Sequence, residues 1–273
     1  MKTDIENLDF SEVATTTKMT VLRMVHQAKA SHVASALSIV DILTFLYNCD
    51  RFSLCEDLNI ANRDSFILSK GHACTALYAT LYVKGLLTKE MLHSYGADGS
   101  PLMHHVSHKV PFVDFSSGSL GHGLSVTVGL SKADQINGEK HHRICLLGDG
   151  EIAEGANWEA MLFAAHHSLD NVTILIDNNN LQSLDTVDNT LNLYPLKEKL
   201  ESFGCELHEI NGHCFEEIET ALLSDSSKGP KAVVLKTIKG KGVSFMENSV
   251  RWHYKNPSDD ELSLALSELR KVN

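Results

Sequence analysis

Four short apolar runs constrain this chain more than anything else in it: FILS (66–69), ICLLG (144–148), VTILID (172–177) and AVVLKT (232–237). They are continuous rather than alternating, rich in β-branched residues, and mostly followed by glycine or polar residues. Such runs describe strands buried on both faces. Helical spacing marks the first 50 residues, where Val13, Val21, Met24, Val25 and Ala28 recur, then Ile39, Ile42, Leu43 and Leu46. Stretches 119–137 and 155–168 also read as helices. Strand–helix alternation predicts an α/β fold with a doubly wound, mostly parallel sheet and helices on both faces. Residues 240–260 read as a long polar loop and 259–270 as a short closing amphipathic helix. No repeat, low-complexity tract or linker divides the chain. Residues 1–273 are therefore expected to form one domain, with 240–273 as its C-terminal loop and closing helix.

Composition removes several classes of function. With 35 acidic against 24 basic side chains, the net charge is −11, the wrong sign for nucleic acid or an anionic membrane. No run approaches the roughly 18 apolar residues of a spanning helix. The N-terminal stretch carries acids and lacks an apolar signal core. Cys49, Cys55, Cys74, Cys145, Cys205 and Cys214 form no CxxC pair, so reduced thiols in a cytoplasm are expected. The 15 histidines are an excess that invites a search for clustered sites.

In a doubly wound sheet, ligands bind beyond the carboxyl ends of the strands, which selects the loops after residues 69, 148, 177 and 237. After ICLL comes Gly148-Asp149-Gly150-Glu151; after VTILID, and 30 residues past Asp149, come Asn179, Asn180 and Leu181. G-D-G alone is also ordinary turn material. Paired with a second strand end, it offers a carboxylate, an amide oxygen and a backbone carbonyl. Mg²⁺ takes about six oxygens and commonly only one or two protein carboxylates when phosphate supplies the remaining charge. Flanking glycines admit a diphosphate to the backbone, and a helix starting near Gly155 can point its N-terminus there.

GDGEIAEGANWEA followed by LIDNNNLQ resembles the thiamine diphosphate motif in its transketolase form. The resemblance extends through RDSFILSKGHACTALYATL, VDFSSGSLGHGLSVTVGLS and KTIKGKGVSFMEN with a following Trp-His, covering roughly residues 15–260. It implies the thiamine diphosphate-binding fold of the diphosphate (PP) module. It implies thiamine diphosphate with Mg²⁺, or Ca²⁺ or Mn²⁺ in its place, as cofactors. The metal ligands would be Asp149, Asn179 and the Leu181 carbonyl. Gly148, Gly150, Glu151, Gly118 and Leu120 would lie along the cofactor. Glu154 and Glu159 match an acidic pair that makes subunit contacts and bonds toward the glutamate activating the aminopyrimidine; the plain alternative for Glu159 is an exposed helix residue. His32, His72, His104 and His253 match four histidines lining the channel to the reactive carbon. There they bind sugar hydroxyls and a developing oxyanion. Imidazole titrates near neutrality and can take a proton from a hydroxyl or give one back. His105 directly follows His104, so the register there admits a shift by one residue. His141, His142, His166, His167, His208 and His213 lack such support and read as surface residues, with no zinc-like spacing.

The chain departs from the family pattern where substrate would arrive. Ala34 and its neighbours stand where the family has glycines, His122 replaces a glutamine, Tyr254 a glycine and His105 a proline. These departures put ordinary pentose phosphates in doubt and point to an unusual acceptor, such as a modified sugar or a carrier-bound acyl group. The family's pyrimidine-binding domain has no counterpart in these residues. The resemblance therefore implies one component of a split enzyme, α₂β₂, completed by a C-terminal transketolase subunit. With that partner it would pass a two-carbon ketol unit from a ketose donor to an aldose or other aldehyde-like acceptor. The alternatives are the decarboxylating α subunit of a 2-oxoacid dehydrogenase and a non-catalytic cofactor-binding scaffold.

Overall fold

The computed structural model describes residues 9–225 and 228–271. The acidic stretch at residues 1–8, and the last two residues of the domain as read above, lie outside the described residues. The strands are β1 (Ser65–Leu68), β2 (Arg143–Gly148), β3 (Val172–Asn178), β4 (Glu206–Asn211) and β5 (Lys231–Lys236). The helices are α1 (Phe10–Ala28), α2 (Val33–Leu37), α3 (Val40–Asn48), α4 (Cys74–Val83), α5 (Lys89–His93), α6 (Gly123–Asn137), α7 (Gly155–His166), α8 (Val187–Thr190), α9 (Leu196–Ser202), α10 (Phe215–Leu223) and α11 (Asp259–Lys271).

The sheet runs β1-β2-β3-β5-β4, and its strand pairs are parallel. The continuous apolar runs sort by pleat. Ile144 and Leu146 enter one core with α1, α3, α4 and α11, while Cys145 and Leu147 enter a second with α6, α7 and α9. Period-two alternation thus serves two apolar faces, which is why the runs show no polar positions. β4 is the strand that the apolar-run reading misses. As an edge strand it is half-exposed, and its sequence ELHEIN keeps polar residues toward water. The closing helix is present as α11, and the 240–260 loop contains a short 3₁₀ turn at Val250–His253.

Register aligns the strand exits. Gly148 lies opposite Asp177, and Asn178 opposite Lys236. The segments following β2, β3 and β5 therefore leave the sheet side by side. α1 is closed at its start by Asp9, whose carboxylate accepts from Ser11 N–H at 2.9 Å. All six cysteines are free thiols. Among the described residues, no helix is long and apolar enough to cross a membrane.

Candidate active site

The aligned strand exits enclose a cavity of about 250 Å³. Its walls include Asp149, Glu151, Asn179 and Leu181 with His32, His72, His105 and His253. Gly118, Leu120, Gly148 and Gly150 line it too. Of the residues singled out in the sequence, His104, Glu154 and Glu159 fall outside this lining. Glu154 and Glu159 are exposed at the start and on the outer face of α7. The His104 ring packs on Tyr95, with centroids 5.3 Å apart, while the adjacent His105 turns into the cavity. The cavity lining thus holds His105 rather than His104.

Glu151 organises the floor. Its Oε1 accepts from Ser69 Oγ at 2.5 Å and Gly121 N–H at 2.8 Å, and its Oε2 accepts from Gly148 N–H at 3.3 Å. One buried carboxylate thereby ties three loops together, and it faces protein donors on all these sides. Asp149 differs. Its Oδ1 accepts from Gly150 N–H at 2.8 Å, but its Oδ2 is buried with no hydrogen-bond partner. Burial, reinforced by the nearby Asp177 carboxylate, pushes the Asp149 carboxyl up to about 6. Gln182 Nε2 and His253 Nδ1 are also buried without partners in this cavity. Buried polar atoms are ordinarily satisfied, so three orphans around one cavity describe a ligand site.

The Asn179 amide is oriented on both sides. Its Nδ2 donates to Asp177 Oδ2 at 3.0 Å, and its Oδ1 accepts from Leu181 N–H at 3.1 Å. Asn180 adopts a left-handed φ of 61°, a conformation asparagine tolerates better than most residues, and it turns Leu181 back toward the cavity. Asp149, Asn179 and Leu181 thus line one cavity and offer it a carboxylate, an amide oxygen and a main-chain carbonyl, the donor types a hard divalent cation takes together with phosphate oxygens. The residues present fit the diphosphate and its metal.

Two lysines emerge that the sequence reading did not assign. Lys70, two residues beyond β1, is buried, with its ammonium 2.5 Å from Asp177 Oδ2 and 3.2 Å from the Ser35 carbonyl. Asp177 also accepts from Ser38 Oγ at 2.8 Å and from Thr237 Oγ1. Burial pushes the Asp177 carboxyl up, but Lys70 outweighs it and holds the group below the usual carboxylate range. Lys239 follows β5, and its ammonium donates to the carbonyls of Leu181 (3.1 Å) and Gln182 (3.2 Å). Burial and the charge of Lys70 lower it to about 8. Both lysines lie in loops after strand ends, the signal that could have found them.

The histidines form a compact cluster above this floor. The His32 ring lies 5.1 Å from His72, 6.0 Å from His105 and 4.9 Å from His253, centroid to centroid. Burial, then neighbouring His105 and Lys239, lowers His32 to about 4. Burial and Lys239 lower His253 to about 3, and burial with Lys70 holds His72 well below its ordinary value. The rings are neutral at pH 7. His32 sits at a left-handed φ of 68° and donates its backbone N–H to the His253 carbonyl at 2.8 Å. Strain of this kind, costing about 1–2 kcal/mol in a non-glycine residue, persists where surrounding structure enforces it. Tyr254, 60% exposed, stands at the rim with its ring 6.1 Å from His32. His122 is exposed and outside the lining. Most of the remaining histidines are exposed or half-buried, but His213 is not the surface residue expected. Its side chain is only 9% exposed and is bonded at both ring nitrogens.

Fold and site together define an α/β protein with a polar, histidine-lined cavity where its parallel strands end. The chain belongs to the transketolase family: the profile of the transketolase thiamine diphosphate binding domain matches residues 10–269. It is 42% identical over 241 residues to an apulose-4-phosphate transketolase subunit of Actinobacillus succinogenes, covering 88% of this chain and 87% of that protein. It is 33% identical over 272 residues to a 6-deoxy-6-sulfo-D-fructose transketolase subunit of a Clostridium strain, covering 97% and 98%. The solved transketolase of Campylobacter jejuni superposes with a TM-score of 0.89 at 29% identity. That superposition takes in 99% of this chain but 43% of the solved one.

Proposed function

We propose that this chain is the diphosphate- and Mg²⁺-binding subunit of a transketolase that moves a two-carbon ketol unit from a ketose to an aldehyde-like acceptor. The observation that carries this reading is the meeting, in one cavity, of Asp149, Asn179 and Leu181 with four clustered histidines. Asp149, Asn179 and the Leu181 carbonyl would hold the metal; Gly148, Gly150 and Lys239 would face the diphosphate. Thiamine diphosphate, when bound, supplies the nucleophilic carbon and the electron sink that ketol transfer requires. The protein's part is orientation and proton transfer. A neutral imidazole among His32, His72, His105 and His253 can accept the proton of a ketose hydroxyl as the carbon–carbon bond breaks. The resulting imidazolium can return it to the product of the second half-reaction. Holding these rings unprotonated at pH 7 keeps them available as bases.

The site needs a partner. A cavity of about 250 Å³ falls below the ~300–1,000 Å³ of complete small-molecule pockets. Exposed Leu184, Leu191 and Tyr194 lie on the excursion following Leu181, and Leu162 and Phe163 are exposed on α7. A C-terminal subunit with the pyrimidine-binding domain, in an α₂β₂ assembly, would cover these surfaces and complete the pocket, with Glu154 and Glu159 at the contact. We read the chain as one domain working in the cytoplasm, in keeping with its free thiols. The relatives' names make phosphorylated or sulfonated ketoses the donors to test first, apulose 4-phosphate ahead of 6-deoxy-6-sulfo-D-fructose.

The test is reconstitution with the co-purifying subunit from the native host, followed by donor–acceptor screening. In the active assembly, His72→Ala should lower kcat by roughly 10²–10⁴-fold while leaving the cofactor Kd within about threefold. Equal losses in turnover and cofactor binding would overturn the division of roles. Pyruvate-dependent decarboxylation would replace ketol transfer with the dehydrogenase reading.

A further inference from the structure

The buried His213 lies outside the cavity, yet a continuous chain of hydrogen bonds joins it to the segment that carries Lys239. β5 ends at Lys236, and the last ladder-type contact is Thr237 N–H to the Asn178 carbonyl at 3.3 Å. The next N–H, that of Ile238, donates to His213 Nε2 at 2.9 Å. An acceptor nitrogen carries no proton, so the His213 proton resides on Nδ1, which donates to Asp41 Oδ2 at 2.6 Å. Asp41 Oδ1 pairs with Lys18 Nζ at 2.7 Å, and both side chains are nearly buried. The segment is tied again just past Lys239, where Gly240 N–H donates to the Ala34 carbonyl at 3.0 Å. The sequence allows this approach because residue 212 is glycine. A Cβ there would lie 2.6 Å from Thr237 Cγ2 and 3.0 Å from Leu235 Cβ, pushing the turn after β4 away from the β5 exit.

We propose that His213 is a positioning residue: through Ile238 it fixes the segment that presents Lys239 to the diphosphate cavity. Lys18 and Asp41 set its tautomer. The carboxylate demands a proton from Nδ1, which leaves Nε2 free to accept the Ile238 N–H. Lys239 in turn grips the Leu181 and Gln182 carbonyls, so the β4–α10 turn, α1 and α3 all bear on the loop that would supply a metal ligand. The consequence for cofactor binding rests on the thiamine diphosphate reading above; the positioning of Lys239 does not.

Three variants of the chain separate these statements: His213→Gln, His213→Asn and Lys239→Ala. Glutamine places an amide oxygen near the Nε2 position and can still accept from Ile238. Asparagine places its amide near Nδ1, keeps the Asp41 bond and reaches Ile238 with nothing. Two readouts are taken on each: the acetylation rate of Lys239, followed by peptide mass spectrometry against the other lysines, and the Kd for thiamine diphosphate with Mg²⁺ by calorimetry. H213N should speed Lys239 acetylation several-fold and weaken cofactor binding about tenfold, the equivalent of one lost hydrogen bond. H213Q should stay near wild type in both. Adding H213N to K239A should weaken binding no further. Equal damage from H213Q and H213N, or additive losses with K239A, would reduce His213 to a structural residue and overturn the proposal. If the acetylation pattern holds but neither the wild-type chain nor its assembly with the partner subunit takes up thiamine diphosphate, the cofactor reading fails and the positioning stands. The wild-type chain supplies a check free of folding risk. Nitrogen-15 shifts should show a protonated Nδ1 and an acceptor Nε2 in His213, and the opposite tautomer would overturn the proposal.

Discussion

At the scale of single residues, the site is a set of groups held away from their ordinary protonation states. His32 and His253, lowered to about 4 and about 3, refuse protons that an unfolded chain accepts near 6.5. A lowered folded-state value contributes stability that is complete above about 6.5 and drains away as pH falls toward 4. Thermal melting of the isolated chain should therefore drop between pH 6.5 and 4. His253→Gln should flatten that dependence by close to one proton, and an unchanged slope would mean the ring is exposed in solution. Lys70→Met tests the opposite situation. It strands the fully buried Asp177 without its cation, and the chain should lose about 3–5 kcal/mol of stability, read by denaturant unfolding. The residue types of this site were legible: Asp149, Asn179, Leu181, His32, His72 and His253 all reach the cavity. Which of His104 and His105 faces the cavity was not. Two adjacent histidines in a loop carry no periodicity to say which one turns inward, and the packing of His104 on Tyr95 decides it.

At the scale of elements, α6 shows how context reverses a propensity. Alanine normally stabilises a helix interior by about 1 kcal/mol over glycine. At Gly129, where a Cβ would meet nothing within 4 Å, Gly129→Ala should raise stability by roughly 0.5–1 kcal/mol. At Gly123 a Cβ would lie 2.5 Å from both Ser69 Cβ and Oγ. Gly123→Ala should cost about 1–3 kcal/mol, because the first turn of α6 must move off β1 and break the Ser69–Glu151 bond. Melting curves of the two variants check the sign, and stabilisation by both would show that α6 does not press on the β1 exit as described. The inner strands and the long helices were legible because each carries its burial pattern in its own residues. β4 was not, since an edge strand with one wet side lacks a continuous apolar run.

At the scale of the whole molecule, the two faces of the sheet are covered unequally. α1, α3, α4 and α11 build the larger core on one side, whereas α6 and α7 cover the other and still leave Leu162 and Phe163 in water. If that surface meets a second subunit, replacing both residues with glutamate should abolish the assembly in sizing experiments. The stability of the isolated chain should change by no more than about 0.5 kcal/mol. An intact assembly would move the interface elsewhere. Fold class, the strand ends that line the cavity and the oxygen-bearing side chains at them were all readable from the residues, because strand burial and short polar motifs at strand ends leave local marks. Packing in three dimensions was needed to bring His105 into the histidine cluster, to turn Lys70 and Lys239 to the cavity, and to carry His213 to Ile238. Those contacts join segments from 25 to more than 100 residues apart, and which buried group meets which partner is settled only when the strands are placed in register.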